Sequence, residues 1–218
     1  MKTKQERSDI FKAFQTHIKR SDTFDIGKKN LLTLRAELFE MYDYIFSVCN
    51  DDDFCVMPLS TDKTIAYYLY HLTRIEDITS NTLITGKMQL FFSNDFDKLL
   101  NSPIITTGNE IARDKLIEFS KALNIDKLKE YIAAVFSNTN EIIKSMSYED
   151  SRIKVSEEKR ASLIKSNTVS TDDNAFWLVD YWYKKNYVGL LLMPFSRHQM
   201  LHLDGCMRII NKKNSNGS

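Results

Sequence analysis

His198 and His202 stand four residues apart in Phe195-Ser-Arg-His-Gln-Met-Leu-His-Leu-Asp-Gly205, just after Pro194. On a helix that spacing puts both imidazoles on one face. A third histidine, His71, sits in Tyr70-His-Leu-Thr-Arg-Ile-Glu-Asp77. Neutral imidazole is a common nitrogen ligand, and three of them leave coordination positions open for water or substrate. The pattern points to one divalent metal held by His71, His198 and His202, meeting a small-molecule substrate. The plain alternative is two partly exposed or hydrogen-bonded histidines, because an isolated His-x-x-x-His arises by chance in any helix-rich chain.

The elements that must carry these residues follow from the apolar pattern. Six glycines and three prolines in 218 residues are few for an all-β chain and favour helices. Apolar positions in alternating steps of three and four predict a short leading helix over 8–20 and long bundle helices over 28–50 and 125–146. The first bundle seam reads Leu31, Leu34, Leu38, Met41, Ile45 and Val48; the second reads Ile125, Leu128, Ile132, Val135, Thr139, Ile142 and Met146. Pro58-Leu-Ser-Thr-Asp62 leads into another helix that runs to Gly86, with His71 beside its seam of Ile65, Tyr68, Leu72, Ile75, Thr79 and Thr82.

The last long helix follows a break at Pro194, and its seam of Leu191, Phe195, His198, His202, Gly205 and Ile209 makes two successive core positions histidines. Burying a polar side chain without a partner costs roughly 1–3 kcal/mol. A shared metal meets that need, and bundles build such sites from inward side chains on facing helices.

The rest is less regular. Turns are expected over 94–101, a helix over 107–123, and a loop or exposed hairpin over 147–173 with a helical piece at 156–166. Phe176-Trp-Leu-Val-Asp-Tyr-Trp-Tyr183 reads as a helix packed on the core, with a pocket wall as the alternative. One domain is expected over 1–218, with its core bundle at 28–211 and a frayed, disordered tail over 212–218.

Composition excludes some classes. The 30 basic and 29 acidic residues nearly cancel and are interspersed, so no basic face offers itself to nucleic acid. No stretch approaches the roughly 18 apolar residues of a membrane span. The opening Met1-Lys-Thr-Lys-Gln-Glu-Arg-Ser-Asp9 has charge where a secretory signal has an apolar run, so a cytoplasmic location is expected. Cys49, Cys55 and Cys206 lack metal-ligand or redox spacing and read as reduced thiols.

Other polar residues read more blandly. His17, beside Lys19 and Arg20, is a solvated or capping histidine rather than a ligand, and Asp51-Asp-Asp53 is a solvated turn. Cys206, one turn past His202, reads as a core cysteine ahead of a fourth ligand. Glu76 and Asp77 could orient an imidazole, but surface carboxylates are the simpler reading. Arg197, and more weakly Arg74, could attract an anionic substrate to a pocket mouth.

Thr64-Ile-Ala-Tyr-Tyr-Leu-Tyr-His-Leu-Thr-Arg-Ile-Glu-Asp-Ile78 together with Arg197-His-Gln-Met-Leu-His-Leu203 resembles the DinB/YfiT-like superfamily of small helical metalloproteins. The resemblance implies a four-helix bundle with a metal-binding histidine on its second helix and a His-x-x-x-His pair on its last, which fall here on His71, His198 and His202. It further implies zinc or nickel, and thiol-dependent transfer or isomerisation with a low-molecular-weight thiol. This chain departs from the pattern between His71 and His198, where extra helical segments are expected. The rival from another class is a noncatalytic bundle that senses a metal or ligand, or forms a homodimer through the aromatic stretch 176–187.

Overall fold

Thr3 starts the first helix: its hydroxyl accepts from the Glu6 amide at 3.2 Å while the Glu6 carboxylate accepts from the Thr3 amide at 2.7 Å. The helix that follows, α1 (Lys4–His17), lies along α2 (Phe24–Val48). The two approach so closely that a Cβ on Gly27 would sit 2.7 Å from the Ile18 backbone. The computed structural model describes residues 1–58 and 63–216; of the expected lead-in Pro58–Asp62, residues 59–62 lie outside the described residues.

The helix carrying His71 is α3 (Ile65–Asp77), capped by the Thr64 hydroxyl, which accepts from the Tyr67 amide at 3.2 Å. It continues as a π-helical stretch, Ile78–Thr85, and stops at Gly86, whose φ of +69° is the left-handed conformation expected there. Every residue of α3 is buried, on all faces rather than along one stripe. Such a helix must satisfy its polar residues internally. Thr73, and Thr79 in the π-helical continuation, do so by donating back to the Leu69 and Ile75 carbonyls, each at 2.7 Å.

Short helices α4 (Leu90–Ser93), α5 (Phe96–Leu99) and α6 (Leu116–Ala122) lead to the long α7 (Ile125–Ser145). Then come α8 (Tyr148–Arg152), α9 (Glu157–Lys165), α10 (Asp173–Tyr183) and α11 (Tyr187–Leu192). A π-helical turn, Met193–Arg197, joins α11 to α12 (His198–Asn216). Among the described residues the protein is all-α, without a strand; an isolated antiparallel bridge pairs Lys154 with Asn186. Among the described residues no helix is long and apolar enough to cross a membrane.

Four long helices make the core: α3 lies against α7 and α12, and α2 lies against both of these. The predicted seams supply it, with Leu31, Leu34, Leu38, Ile45, Leu128, Ile132, Val135 and Phe195 all shielded. Val48 is the exception; it ends α2 and faces solvent.

Several expectations need correction. The helix predicted over 107–123 forms only from Leu116, and Thr107–Ala112 is a loop turned by Gly108 at φ +80°. The polar stretch 147–173 is no open hairpin: it holds α8 and α9 and buries Ser151, Val155, Leu163 and Val169. Asp53 is not solvated but closes a capping box with Asn50 and pairs with Lys213 at 2.5 Å, while Asp51 and Asp52 do face water. The end predicted to fray from residue 212 stays helical to Asn216, and 217–218 lie outside the described residues.

Candidate metal centre

Local sequence brings the three imidazoles together. His71 comes from the middle of α3, where it is buried; His198 opens α12 and His202 follows one turn later, both half-buried. Their Nε2 atoms converge: His71 to His198 is 3.2 Å and His202 to His198 is 3.1 Å. One ligand atom from each lies within 4.8 Å of the others.

The donor chemistry fits a metal. Three nitrogens around one tetrahedral ion at 2.0–2.1 Å would stand about 3.3 Å apart. His71 Nδ1 lies 2.8 Å from the Thr107 carbonyl, which can only accept, so the ring proton sits on Nδ1 and the Nε2 lone pair faces the cluster. His198 Nε2 carries at most one proton and faces two ring nitrogens, so hydrogen bonds among the three cannot satisfy them all. His198 Nδ1 is also buried without a partner.

All three are held in the neutral form a ligand needs. Burial, aided by His202, brings His71 down to about 3 against the opposing pull of the Thr107 carbonyl. Burial and the other two imidazoles push His198 well below the usual histidine range. Burial, with the Lys63 charge, takes His202 to about 4.

The support for this cluster is built from α3. Three of its residues grip one loop: Tyr70 donates to the Ile104 carbonyl, Arg74 to the Ile105 carbonyl, both at 2.8 Å, and His71 to that of Thr107. Gly108 makes the turn that presents Thr107, and the Tyr67 ring stacks on His71 with centroids 5.5 Å apart and planes 8° from parallel.

Two neighbouring carboxylates are not on the surface, contrary to the sequence expectation. Glu76 is buried and accepts from Arg35 and, at 2.8 Å, from Gln199, the residue after His198. Asp77, also buried, accepts from Tyr131 at 2.7 Å and from the Leu90 and Phe91 amides that begin α4. Neither touches an imidazole; burial inside an all-round-buried helix gave them partners on other elements.

Of the other candidates, Arg74 is fully buried against Asp77, Tyr131 and Gln89, so it guards no pocket mouth. Arg197 is exposed and does not line the cavity over the histidines. Cys206 is a core residue whose thiol is pushed up by burial, and Cys49 and Cys55 are free thiols as well. His17 lies apart, its Nδ1 on the Ala13 carbonyl at 2.7 Å.

The cluster forms the floor of a cavity of 360 Å³. Its walls are Tyr67 and Ile75 of α3 and Trp177, Leu178, Tyr181 and Trp182 of α10, so the aromatic stretch both packs on the core and lines a pocket. A wider depression of 760 Å³ lies between the N-terminal residues and α12, but it brings no group of metal-binding side chains together. Chemistry therefore selects the smaller one.

Three lining residues were not singled out in the sequence: Met193, and with it Lys63 and Asn109. The Thr107-Gly-Asn109 turn was a legible signal for Asn109, since glycine between two turn formers argues against a helix start. Lys63 precedes the cap of α3 and had no pattern to mark it.

No family model matches the chain, and no curated protein matches it in sequence. What stands is an all-helical protein with a three-histidine cluster that could hold a metal ion.

Proposed function

We propose that His71, His198 and His202 bind one divalent metal ion and that the protein is a metal-dependent enzyme acting on a small molecule. The observation that carries this is the convergence of three neutral Nε2 atoms on the floor of a largely apolar cavity. Held by those three nitrogens, a divalent ion would supply the Lewis acidity that brings a thiol or water to its nucleophilic form near neutral pH. The chain's own part is positional: Thr107 fixes the His71 tautomer, α3 and α12 hold the rings, and the aromatic wall excludes water from one side.

The resemblance of Thr64–Ile78 and Arg197–Leu203 to the DinB/YfiT-like superfamily supports a four-helix bundle of that type within one domain. It also favours zinc or nickel, and a low-molecular-weight thiol as cosubstrate in transferase-type chemistry. A second reading, a noncatalytic sensor or homodimer, is favoured by Trp177, which lines the cavity yet remains 52% exposed.

Elemental mass spectrometry of purified protein, with zinc or nickel reconstitution, tests the site. About one ion per chain is expected, lost in His71→Ala, His198→Ala and His202→Ala but retained in His17→Ala. Equal metal content in all four variants would remove the site. Turnover of thiol and electrophile pairs by the loaded protein separates the enzyme from the sensor.

A further inference from the structure

The cavity over the histidines has one polar rim and one aromatic wall, and they face different parts of a ligand. Lys63 stands at the rim, half-buried, with its Nζ donating to the Tyr67 hydroxyl at 3.0 Å and lying 4.3 Å from the Tyr67 ring centroid. Among the described residues no carboxylate pairs with it. Its charge bears on His71 and His202 across the cavity, while burial first, and then the Arg113 charge, holds its own ammonium below the usual lysine range. A half-buried ammonium with a hydroxyl and a ring face for neighbours, and no carboxylate pair among the described residues, can take an anion.

The opposite wall is flat and apolar. Trp177, Leu178, Tyr181 and Trp182 fall on one side of α10 and turn toward the cavity, with Tyr67 and Ile75 of α3 across from them. Ring faces reward a planar partner through offset stacking, beyond the area buried. The 360 Å³ between these walls suits a molecule of one ring and a short side chain.

We propose that the cavity binds small planar aromatic carboxylates, with the carboxylate on Lys63 and the ring against Trp177 and Tyr181. The metal reading is needed only for the end of the molecule that reaches the histidines; the anchoring end stands on Lys63 and the aromatic wall. Asn109, also on the lining, offers an amide to the same polar rim.

The test is calorimetric titration of the full chain, metal-loaded and metal-free, with cinnamate, its uncharged amide cinnamamide, and octanoate. Metal content is measured on the same samples. Cinnamate is expected to bind about tenfold more tightly than cinnamamide, the order of gain from one charge-assisted contact. In Lys63→Met that preference should vanish, and in Lys63→Arg it should return. Trp177→Ala, at a position 52% exposed, should weaken cinnamate and cinnamamide alike.

Octanoate binding as tightly as cinnamate would overturn the planar preference. A carboxylate preference that survives in Lys63→Met would overturn the anchor and assign the carboxylate to the metal. Failure to load metal, with the Lys63-dependent preference intact in metal-free protein, would remove the metal centre and leave the acid-binding cavity standing. Metal loading with no cinnamate binding would do the reverse.

Discussion

Arg35 and Glu76 form a two-pronged ion pair in the middle of the protein, with Nη2 to Oε1 at 2.7 Å and Nη1 to Oε2 at 3.2 Å, and neither side chain reaches solvent. The guanidinium joins three of the long helices to the turn that leads into the fourth. From α2 it reaches Glu76 on α3, the Asn140 amide oxygen on α7 at 2.6 Å, and the Phe195 carbonyl just before α12 at 3.1 Å. Glu76 returns the tie by accepting from Gln199. The pair thus fixes where His198 begins its helix relative to His71.

Removing one partner should therefore unfold more than the other substitutions considered below. Glu76→Leu leaves a buried guanidinium uncompensated, a loss of about 3–5 kcal/mol. Arg35→Met strands the carboxylate at similar cost. The double variant should be milder than the sum, because an apolar pair of similar volume removes both desolvation penalties. Urea unfolding of the three variants measures this, and strict additivity would show that the two residues act independently.

That pair also marks where sequence reading stops. Periodicity exposed the long helices, because a helix with one buried stripe writes that stripe every three or four residues, as Leu31 to Ile45 and Leu128 to Thr139 do. It placed His198 and His202 in register with a seam and His71 beside another. It misplaced Glu76, Asp77 and Arg74, since charge normally means surface and only a helix buried on every face inverts that rule. The helix expected from Thr107 starts only at Leu116, because Gly108 at φ +80° turns the chain out of it. Partners drawn from distant segments, such as Thr107 for His71 or Gln199 for Glu76, leave no local trace.

Metal removal should lower thermal stability, because an ion bound only by the folded state stabilises it by mass action. At free metal a hundredfold above Kd the gain is about 2.7 kcal/mol, or about 5–10 °C in Tm for a chain of this size. Differential scanning calorimetry with and without a chelator should show that drop in the native protein and none in His198→Ala. A chelator-insensitive Tm in metal-loaded native protein would mean that the ion, if present, does not bridge α3 and α12.

Metal-free protein should become less stable as the solution is acidified. The folded values of His71 and His202 lie at about 3 and about 4, below the ordinary histidine value of 6.5, and His198 is depressed as well. Between those limits the unfolded chain binds protons that the folded chain refuses, so stability rises with pH. The loss should begin near pH 6.5, deepen down to about pH 3, and amount to several kcal/mol. Denaturant midpoints at pH 7.5, 6 and 5 check the slope; in His71→Ala it should be shallower.

The Gly108 turn offers the most selective probe of the metal centre, because its backbone sets the Thr107 carbonyl without touching a ligand. At φ +80° an alanine is strained, and its Cβ would meet the Tyr67 ring at 3.3 Å and Ile111 at 3.4 Å. Gly108→Ala should cost about 1–2 kcal/mol of stability and shift the carbonyl off His71 Nδ1. Loss of such a support typically weakens metal binding by about 10–100-fold. Gly205→Ala is the control: its Cβ would lie 3.5 Å from Tyr68, an ordinary contact, and alanine suits a helix interior. Chelator competition gives the metal affinities, and nitrogen chemical shifts of His71 report its tautomer. Gly108→Ala with native affinity and an unchanged tautomer would show that Thr107 does not orient His71.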